Sequence, residues 1–566
     1  MNRAVRIQAA AMLLLCGLLA CRTVARAQSE LLPVDHPATA TLVRLYEFGG
    51  IPEFPREHLP VSRGYALRLL EQAGRDTTIP DLLRRQALYY RDELAAETGR
   101  LPTAAFIPTS DTSTLIYDHI GGDQPVVVLD YRDPALNTNM ALEPVLDGDL
   151  RIDPDAHAKA LIARGGLELR GTLLGHIGFS GRVTNGSVAG DSAIAARDPH
   201  INRDGSFGIT GFGRDVSSGD GHIRADFDNV ALELGHERVQ LGGGLSGSLL
   251  LGSDLPVNFD YLRFSVRFGR VAFTHIHASL LGEATGDSHG PYAEIPSKYV
   301  AAHLLSFGPF AGLRFSIGES VIYHGRPFDL GYINPLVFMK TQEQYLLDRD
   351  NANLYLAMTW APFRRALVEG EILVDDLRFS QIGKGFWNNK TAWRVALRTT
   401  AIGVDWLDAA VSYTRLEPYV FTHFNPLNDY THAGAILGGG GLQPNSCLAE
   451  LTLVATPAPW LHVQASAGFG EHGANTYGID PVTGRDTVLV NVGGDVRQTH
   501  RAIVDNDHVT FLDGILEKSV HLRLEAEYEL RRNVYLRIAA LRDRTTVNGS
   551  SSPVTEIRCG LRLGAH

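Results

Sequence analysis

The chain has 566 residues, a formal net charge of −11, 20% charged and 44% hydrophobic residues, and four cysteines. An acidic chain lacks the clustered Lys and Arg that a phosphate backbone demands, which excludes nucleic acid as a partner. Four cysteines in so long a chain make no disulfide framework, and after the first segment no apolar run approaches the ~18 residues of a membrane-crossing helix. A chain of this kind can cross a membrane only as a closed barrel.

Residues 1–27 read as a signal peptide. Arg3 and Arg6 supply the charged start, and residues 9–20 form an apolar core too short to span a bilayer. Ala25-Arg26-Ala27 is an A-x-A cleavage site, with Ala27 the last residue removed; Leu18-Leu19-Ala20-Cys21 is a rival site of lipoprotein type, with Cys21 as the lipidated residue. Residues 28–100 read as a small helical bundle. Asp35 can cap a first helix with Pro37 in its first turn and Leu42, Leu45 and Tyr46 on one face, ended by Gly49-Gly50-Ile51-Pro52. Ser62 can cap a second, with Ala66, Leu69, Leu70 and Ala73 at helical spacing. Thr78-Ile79-Pro80 opens a third, with the stripe Leu83, Ala87, Tyr90 and Leu94.

From about residue 160 the apolar period falls from 3.6 to 2. The alternation is plainest near the end of the chain, where Val520, Leu522, Leu524, Ala526, Tyr528 and Leu530 interleave with His521, Arg523, Glu525, Glu527 and Glu529. After a turn at Arg531-Arg532-Asn533, Val534, Leu536, Ile538 and Ala540 alternate with Tyr535 and Arg537. The last strand sets Ile557, Cys559, Leu561 and Leu563 against Glu556, Arg558 and Arg562. Short turns at Gly269-Arg270, 307–309, 360–364, 400–403, 456–459 and 531–533 alternate with long connections at 282–297, 324–351, 379–391, 416–446, 470–519 and 545–553. Tight turns at one end and long loops at the other are the pattern of an outer-membrane barrel. The length of residues 101–566 at ~25 residues per strand and connection gives about 16 to 18 strands, with both barrel ends on the periplasmic side. The acidic run Asp147, Asp149, Asp153 and Asp155 reads as a solvated linker.

Several segments, in order, resemble the Wzi capsule-assembly family. They are His36-Pro37, Pro60-Val61-Ser62-Arg63, Leu234-Gly235-His236-Glu237, Ser248-Leu249-Leu250, Tyr332-Ile333-Asn334-Pro335 and the run 369–376. The most specific are Tyr413-Thr414-Arg415, the run 417–423, Asn425-Pro426, Tyr430-Thr431-His432-Ala433-Gly434 and Leu437-Gly438. The resemblance implies an all-β transmembrane antiparallel barrel of 18 strands, a periplasmic α-helical bundle before it, and a lumen closed by folded loops. It also implies non-catalytic, lectin-like binding of capsular or related surface polysaccharide at the Gram-negative outer membrane, alongside capsule export or assembly proteins. The strand pattern alone equally allows a porin or diffusion channel.

Candidate ligand contacts lie in two long connections. Phe386, Trp387 and Asn388 join rings, which can cover the apolar faces of sugars, to an amide that can bond hydroxyls; Trp387 could equally be an aromatic girdle residue. Tyr419, His423, Asn425, Asp429, Tyr430 and His432 offer similar chemistry or, alternatively, a folded loop that plugs the lumen. Glu369, Glu371, Asp375 and Asp376 resemble a glycosidase carboxylate set but read more simply as a salt-bridged interior. His275 and His277 share a strand face without the companion spacing of a metal site. No G-x-S-x-G or P-loop sequence is present, so no cofactor, metal or catalytic residue is expected.

Overall fold

A computed structural model describes residues 28–99, 127–133, 135–198, 201, 209–210, 213–243, 247–252, 258–282, 296–479, 484 and 486–564. The segment 1–27, with Ala27 and Cys21, lies outside the described residues.

An 18-strand antiparallel sheet closes on itself as one barrel, matching the expected fold class. The strands are β1 (Thr138–Asp153), β2 (Ala158–Leu173), β3 (Ile177–Gly190), β4 (Gly213–Asp226), β5 (Val230–Glu237) and β6 (Phe259–Phe268). They continue with β7 (Val271–Leu281), β8 (Ser297–Phe310), β9 (Leu313–His324), β10 (Asn351–Phe363), β11 (Ala366–Asp376) and β12 (Lys390–Thr399). The last six are β13 (Leu407–Leu416), β14 (Ser446–Ala458), β15 (Leu461–Ala474), β16 (Ile515–Arg531), β17 (Val534–Val547) and β18 (Ser550–Leu563). Closure pairs β18 with β1, Ile557 opposite Ile152 and Leu563 opposite Leu146.

The period-2 pattern explains both faces. Leu522, Leu524, Leu536, Ile538 and Leu561 point outward and are exposed, as a lipid-facing belt requires, while the alternate charged residues turn inward. Free Cys559 lies on the exposed parity.

Three sequence expectations about the barrel are corrected. The sheet begins well before residue 160, because β1 carries the acidic run on its inner face: Asp149 bonds Arg151 at 2.8 Å and Asp147 bonds Arg537 at 2.7 Å. Asp147, Asp149 and Asp153 are barrel wall, not linker, and Asp155 sits in the turn after β1. The supposed long connection at 545–553 is a two-residue turn, Asn548-Gly549, with φ of 50° and 83°. Asn-Gly adopts that left-handed pair at little cost and matches the strand twist. The turn placed at 307–309 falls at Ala311-Gly312, because β8 runs on through Pro309 past a register shift. With the Asn548-Gly549 turn and the four-residue turn 154–157 between β1 and β2 set aside, tight turns mark one end of the barrel and long connections the other.

Three helices precede the barrel: α1 (Pro37–Phe48), α2 (Arg63–Arg75) and α3 (Asp81–Gly99). The α1 cap is His36, not Asp35: its Nδ1 accepts the Ala38 N–H at 3.1 Å. Gly49 ends the helix at φ 87°. Ser62 stands at the α2 cap position but makes no side-chain cap bond. The predicted stripes, Leu42 and Leu45, Leu69 and Leu70, Leu83 and Leu94, meet in one core that includes Leu367 of the barrel wall.

The bundle lies in the short-turn mouth, fixed by charge-assisted bonds to the barrel. Arg44 bonds Asp408 of β13 at 2.6 Å and Thr456 of β14 at 3.0 Å, and Arg532 bonds Glu93 at 3.0 Å. Between α1 and α2 the chain runs into the lumen. There Arg314 donates to Phe54 O and Glu57, both at 2.7 Å, Arg263 to His58 O at 3.0 Å and Pro60 O at 3.1 Å, and Arg56 pairs with Glu369.

Candidate functional site

From the long-loop end, residues 238–243 and 247–252 of the connection after β5 also lie inside the barrel. His58–Leu59 and Gln240–Leu241 pair as a two-residue antiparallel ladder, so the two intrusions meet inside the lumen. Around them, Leu249, Leu250 and Leu251 pack with Val420, Phe421, Tyr430 and Leu437 of the connection 417–445. The wall supplies matching apolar side chains on the inner face: Ile276, Ala278 and Leu280 of β7, Val300, Ala302 and Leu304 of β8, Ile322 of β9 and Leu373 of β11. The sector from β6 to β13 is therefore a solid hydrophobic core inside a membrane-type barrel.

Most of the predicted residues of 417–445 hold this plug. Tyr430 Oη donates to Leu250 O at 2.7 Å and meets Ser320 Oγ at 3.0 Å, and its ring stacks on Phe421 at 5.0 Å. Asp429 pairs with Lys298, whose Nζ also meets Thr431 Oγ1 at 3.1 Å. His432 Nδ1 accepts the Leu281 N–H at 3.0 Å while the ring stacks on Phe259 at 4.9 Å. His423 Nδ1 accepts the Asn425 N–H at 3.1 Å; burial, and then the Lys390 ammonium, push its pKa down to about 4. Tyr419, His423, Asp429, Tyr430 and His432 are all buried. Asn425, half-buried, caps a short turn through Leu427 N–H at 3.1 Å.

The carboxylates of β11 are likewise engaged. Glu369 meets Arg398 at 3.3 Å and Arg394 at 3.5 Å. Glu371 accepts Tyr355 Oη at 2.9 Å, Leu249 N–H at 3.0 Å and Arg394 at 3.3 Å. Asp375 accepts Phe421 N–H at 2.8 Å, and Asp376 meets Lys390 at 3.0 Å. These groups tie the plug to the wall, as a salt-bridged interior does.

Phe386, Trp387 and Asn388 lie at the long-loop rim and are partly exposed. The connection 475–514 folds over to meet them: Trp387 N–H donates to Asp507 O at 3.0 Å, and Val509 N–H to Gly385 O at 2.8 Å. His500 stacks on Trp387 with ring centroids 4.0 Å apart and planes 5° from parallel, and Tyr419 meets Trp387 edge-on at 5.8 Å. Trp387 thus belongs to an inter-loop aromatic cluster and not to a lipid girdle. His500 and Asp507 are absent from the sequence expectation; only tertiary folding of a long connection brings them here.

The opposite sector, bounded mainly by β13 to β18 and β1 to β4, holds a cavity of about 1140 Å³ whose edges touch β5 to β7 and β12. It runs from Tyr90 and Pro459 beside the bundle to His236, Asp260 and His432 near the long loops. Its wall carries both signs of charge, including the pairs Arg182–Asp220 at 2.8 Å and Arg537–Asp147 at 2.7 Å, with Arg562, Glu525 and Glu527. Dense, fixed donors and acceptors of this kind suit a polyhydroxylated ligand or ordered water. Among the described residues, no group of three or more His, Cys, Asp or Glu could hold a metal ion.

This geometry has a counterpart. The structure of Wzi, an Escherichia coli outer-membrane protein involved in group 1 capsule assembly and a carbohydrate-binding β-barrel, superposes with TM-score 0.55 at 11% identity, covering 94% of this chain and 99% of that one. The chain has the Wzi fold. Pseudomonas aeruginosa OprD gives TM-score 0.41 at 12% identity over 75% of this chain and 94% of its own, too loose a likeness to carry weight. No family model and no curated relative matches the sequence. The protein is an outer-membrane-type β-barrel of the Wzi fold.

Proposed function

We propose that the protein binds surface polysaccharide at its long-loop end and helps attach or assemble it at the outer membrane, without catalysis. The observation that carries this reading is the filled half of the lumen. A barrel whose interior holds a hydrophobic core from β6 to β13 is built to present a rigid surface, not to pass solutes through that sector. The carbohydrate binding of the structurally similar Wzi supports the same reading. Phe386, Trp387 and Asn388 are the contacts at the rim, with Asn425, while the buried Tyr419, His423, Asp429, Tyr430 and His432 fix the loops that shape it. In this reading residues 28–100 form a bundle on the periplasmic side, open to capsule export or assembly proteins.

One observation favours a diffusion channel instead: the cavity reaches from the bundle toward the long loops. Planar-bilayer recordings on the purified protein, run beside glycan-array binding, separate the two. Glycan binding with a silent bilayer is expected; large steady currents with no glycan retained would overturn the proposal.

A further inference from the structure

The outer face of β7 to β9 carries residues that a lipid-facing wall should not carry. His275, His277, His303 and Glu319 all stand on the outward parity, opposite the inward Ile276, Ala302 and Ile322. The connection 325–350 packs over this face at His277 and Glu319. Instead of folding over the mouth, it lies back against the outside of the barrel as a flap with two short helices, α5 (Leu330–Ile333) and α6 (Met339–Tyr345); α4 (Ser192–Ala195) lies elsewhere, after β3.

The contacts are specific. Glu319 pairs with His303 at 3.1 Å and accepts the Met339 N–H at the start of α6 at 2.8 Å. His277 Nε2 meets Tyr323 Oη at 2.8 Å, and Phe328 packs on His277 and Tyr299 at 4.7 and 4.8 Å. Tyr332 and Met339 close a core with the outward Ala301, Val321 and Ala352. The flap so shields a polar patch from the hydrocarbon, where unpaired polar groups are costly.

The flap's own far side is apolar. Leu330, Leu336, Tyr345 and Leu347 are 81%, 90%, 79% and 88% exposed, with Phe338 beside them. Below the flap, the same wall continues as the exposed belt Phe315, Ile317, Leu356, Met358 and Trp360. The patch is thus continuous with the lipid-facing surface. Its polar members, Asn334, Gln344, Asp348 and Arg349, give it the mixed composition of an interfacial segment. His303 and Glu319 stand six and five residues from the long-loop ends of β8 and β9, roughly 15 Å down a tilted wall, so the flap reaches from the rim to about the middle of a belt ~25 Å tall.

We infer that residues 325–350 are a membrane-embedded flap whose Leu330, Leu336, Tyr345 and Leu347 insert among the acyl chains of the outer leaflet. This rests on the membrane placement of the barrel and not on polysaccharide binding, so the two can fail separately. The test uses full-length protein inserted in phosphatidylcholine vesicles, with all four native cysteines, Cys16, Cys21, Cys447 and Cys559, replaced by alanine. Single cysteines at Leu336, Leu347, the belt position Leu356 and the loop position Ile503 carry an environment-sensitive fluorophore, and the lipid carries bromine on its acyl chains. Quenching at positions 336 and 347 of at least half that at position 356, with none at position 503, is the expected result. Quenching below half of the belt value overturns the inference, whether water or another protein surface covers the flap. Loss of quenching at position 356 as well would remove the membrane placement, and the inference with it.

Discussion

On β7 the side chains that face the lumen are Thr274, Ile276, Ala278 and Leu280; on β16 they include Glu525, Glu527 and Glu529. Both strands obey the same alternation, and both stand in the same closed sheet. The difference lies in what each was selected to face. A lumen wall that turns apolar is a wall with a protein plug against it, since apolar side chains lining water would gain nothing from the barrel. A wall that stays charged, with pairs such as Arg537–Asp147, encloses solvent or a polar ligand. Comparing inward parities strand by strand therefore locates the plug without reference to the loops.

That contrast can be broken most severely at Arg314, which anchors the segment between α1 and α2 from β9 through Phe54 O, Pro52 O and Glu57. Arg314→Ala leaves the Glu57 carboxylate buried without its cation. A loss of about 3–5 kcal/mol is expected for such a half-removed buried pair. Limited proteolysis should then cut within residues 28–99 while the barrel stays intact, and bilayer recordings should show intermittent openings that the wild-type protein lacks. Unchanged protease resistance would mean that the bundle is held elsewhere.

Leu250→Ala attacks the plug from the other end. Leu250 is fully buried where the connections 238–258 and 417–445 meet, so truncation should cost about 2–5 kcal/mol, set by how far the plug collapses into the void. The expected readout is cleavage within 417–445 and a lowered midpoint for loop opening, with the sheet unaffected. The same substitution on the charged side, such as Thr184→Ala, should do much less.

How much of this was legible follows from the same comparison. Strands β16 to β18 are plain in the sequence because leucines alternate with charges over their whole length. β1 was hidden, since Pro144 and Gly148 occupy outward positions where Leu142, Leu146 and Leu150 would otherwise complete the pattern. Strands β7 and β8 were blurred because Ile276 and Val300 face a plug while His277 and Tyr299 face the flap, which reverses the usual polarity on both sides. The plug, the flap and the Trp387–His500 stack all depend on where long connections land. Local periodicity carries no information about that; only the out-of-place polarity of His275, His303 and Glu319 hints at the flap.

Acid should separate plug from sheet. His423 holds its imidazole neutral in the folded plug, with a pKa lowered from 6.5 to about 4, chiefly by burial. In the opened loop it takes up a proton near pH 6.5, so the stability it lends is present above that pH and is lost as pH falls from 6.5 to about 4. The slope is at most about 1.4 kcal/mol per pH unit. Protease sensitivity of residues 417–445 should therefore rise across that window, and His423→Gln should flatten the rise. A variant that keeps the full pH dependence would assign the effect to another group.

The smallest expected effect tests the rim. Trp387 gives one face to His500 at 4.0 Å, so a sugar can use only what remains exposed of the indole. Ring contacts of this kind are worth about 0.5–1.5 kcal/mol beyond area burial, and Trp387→Ala should weaken glycan binding by roughly threefold to tenfold. His500→Ala distinguishes contact from support. If Trp387 touches sugar directly and His500 merely braces it, the His500 variant should lose less affinity than the Trp387 variant, and Trp387→Phe should recover part of the loss. Equal losses in both alanine variants, with no recovery by Phe, would mean that the stack acts by holding the connections 377–389 and 475–514 together, and that the sugar is read elsewhere on the rim.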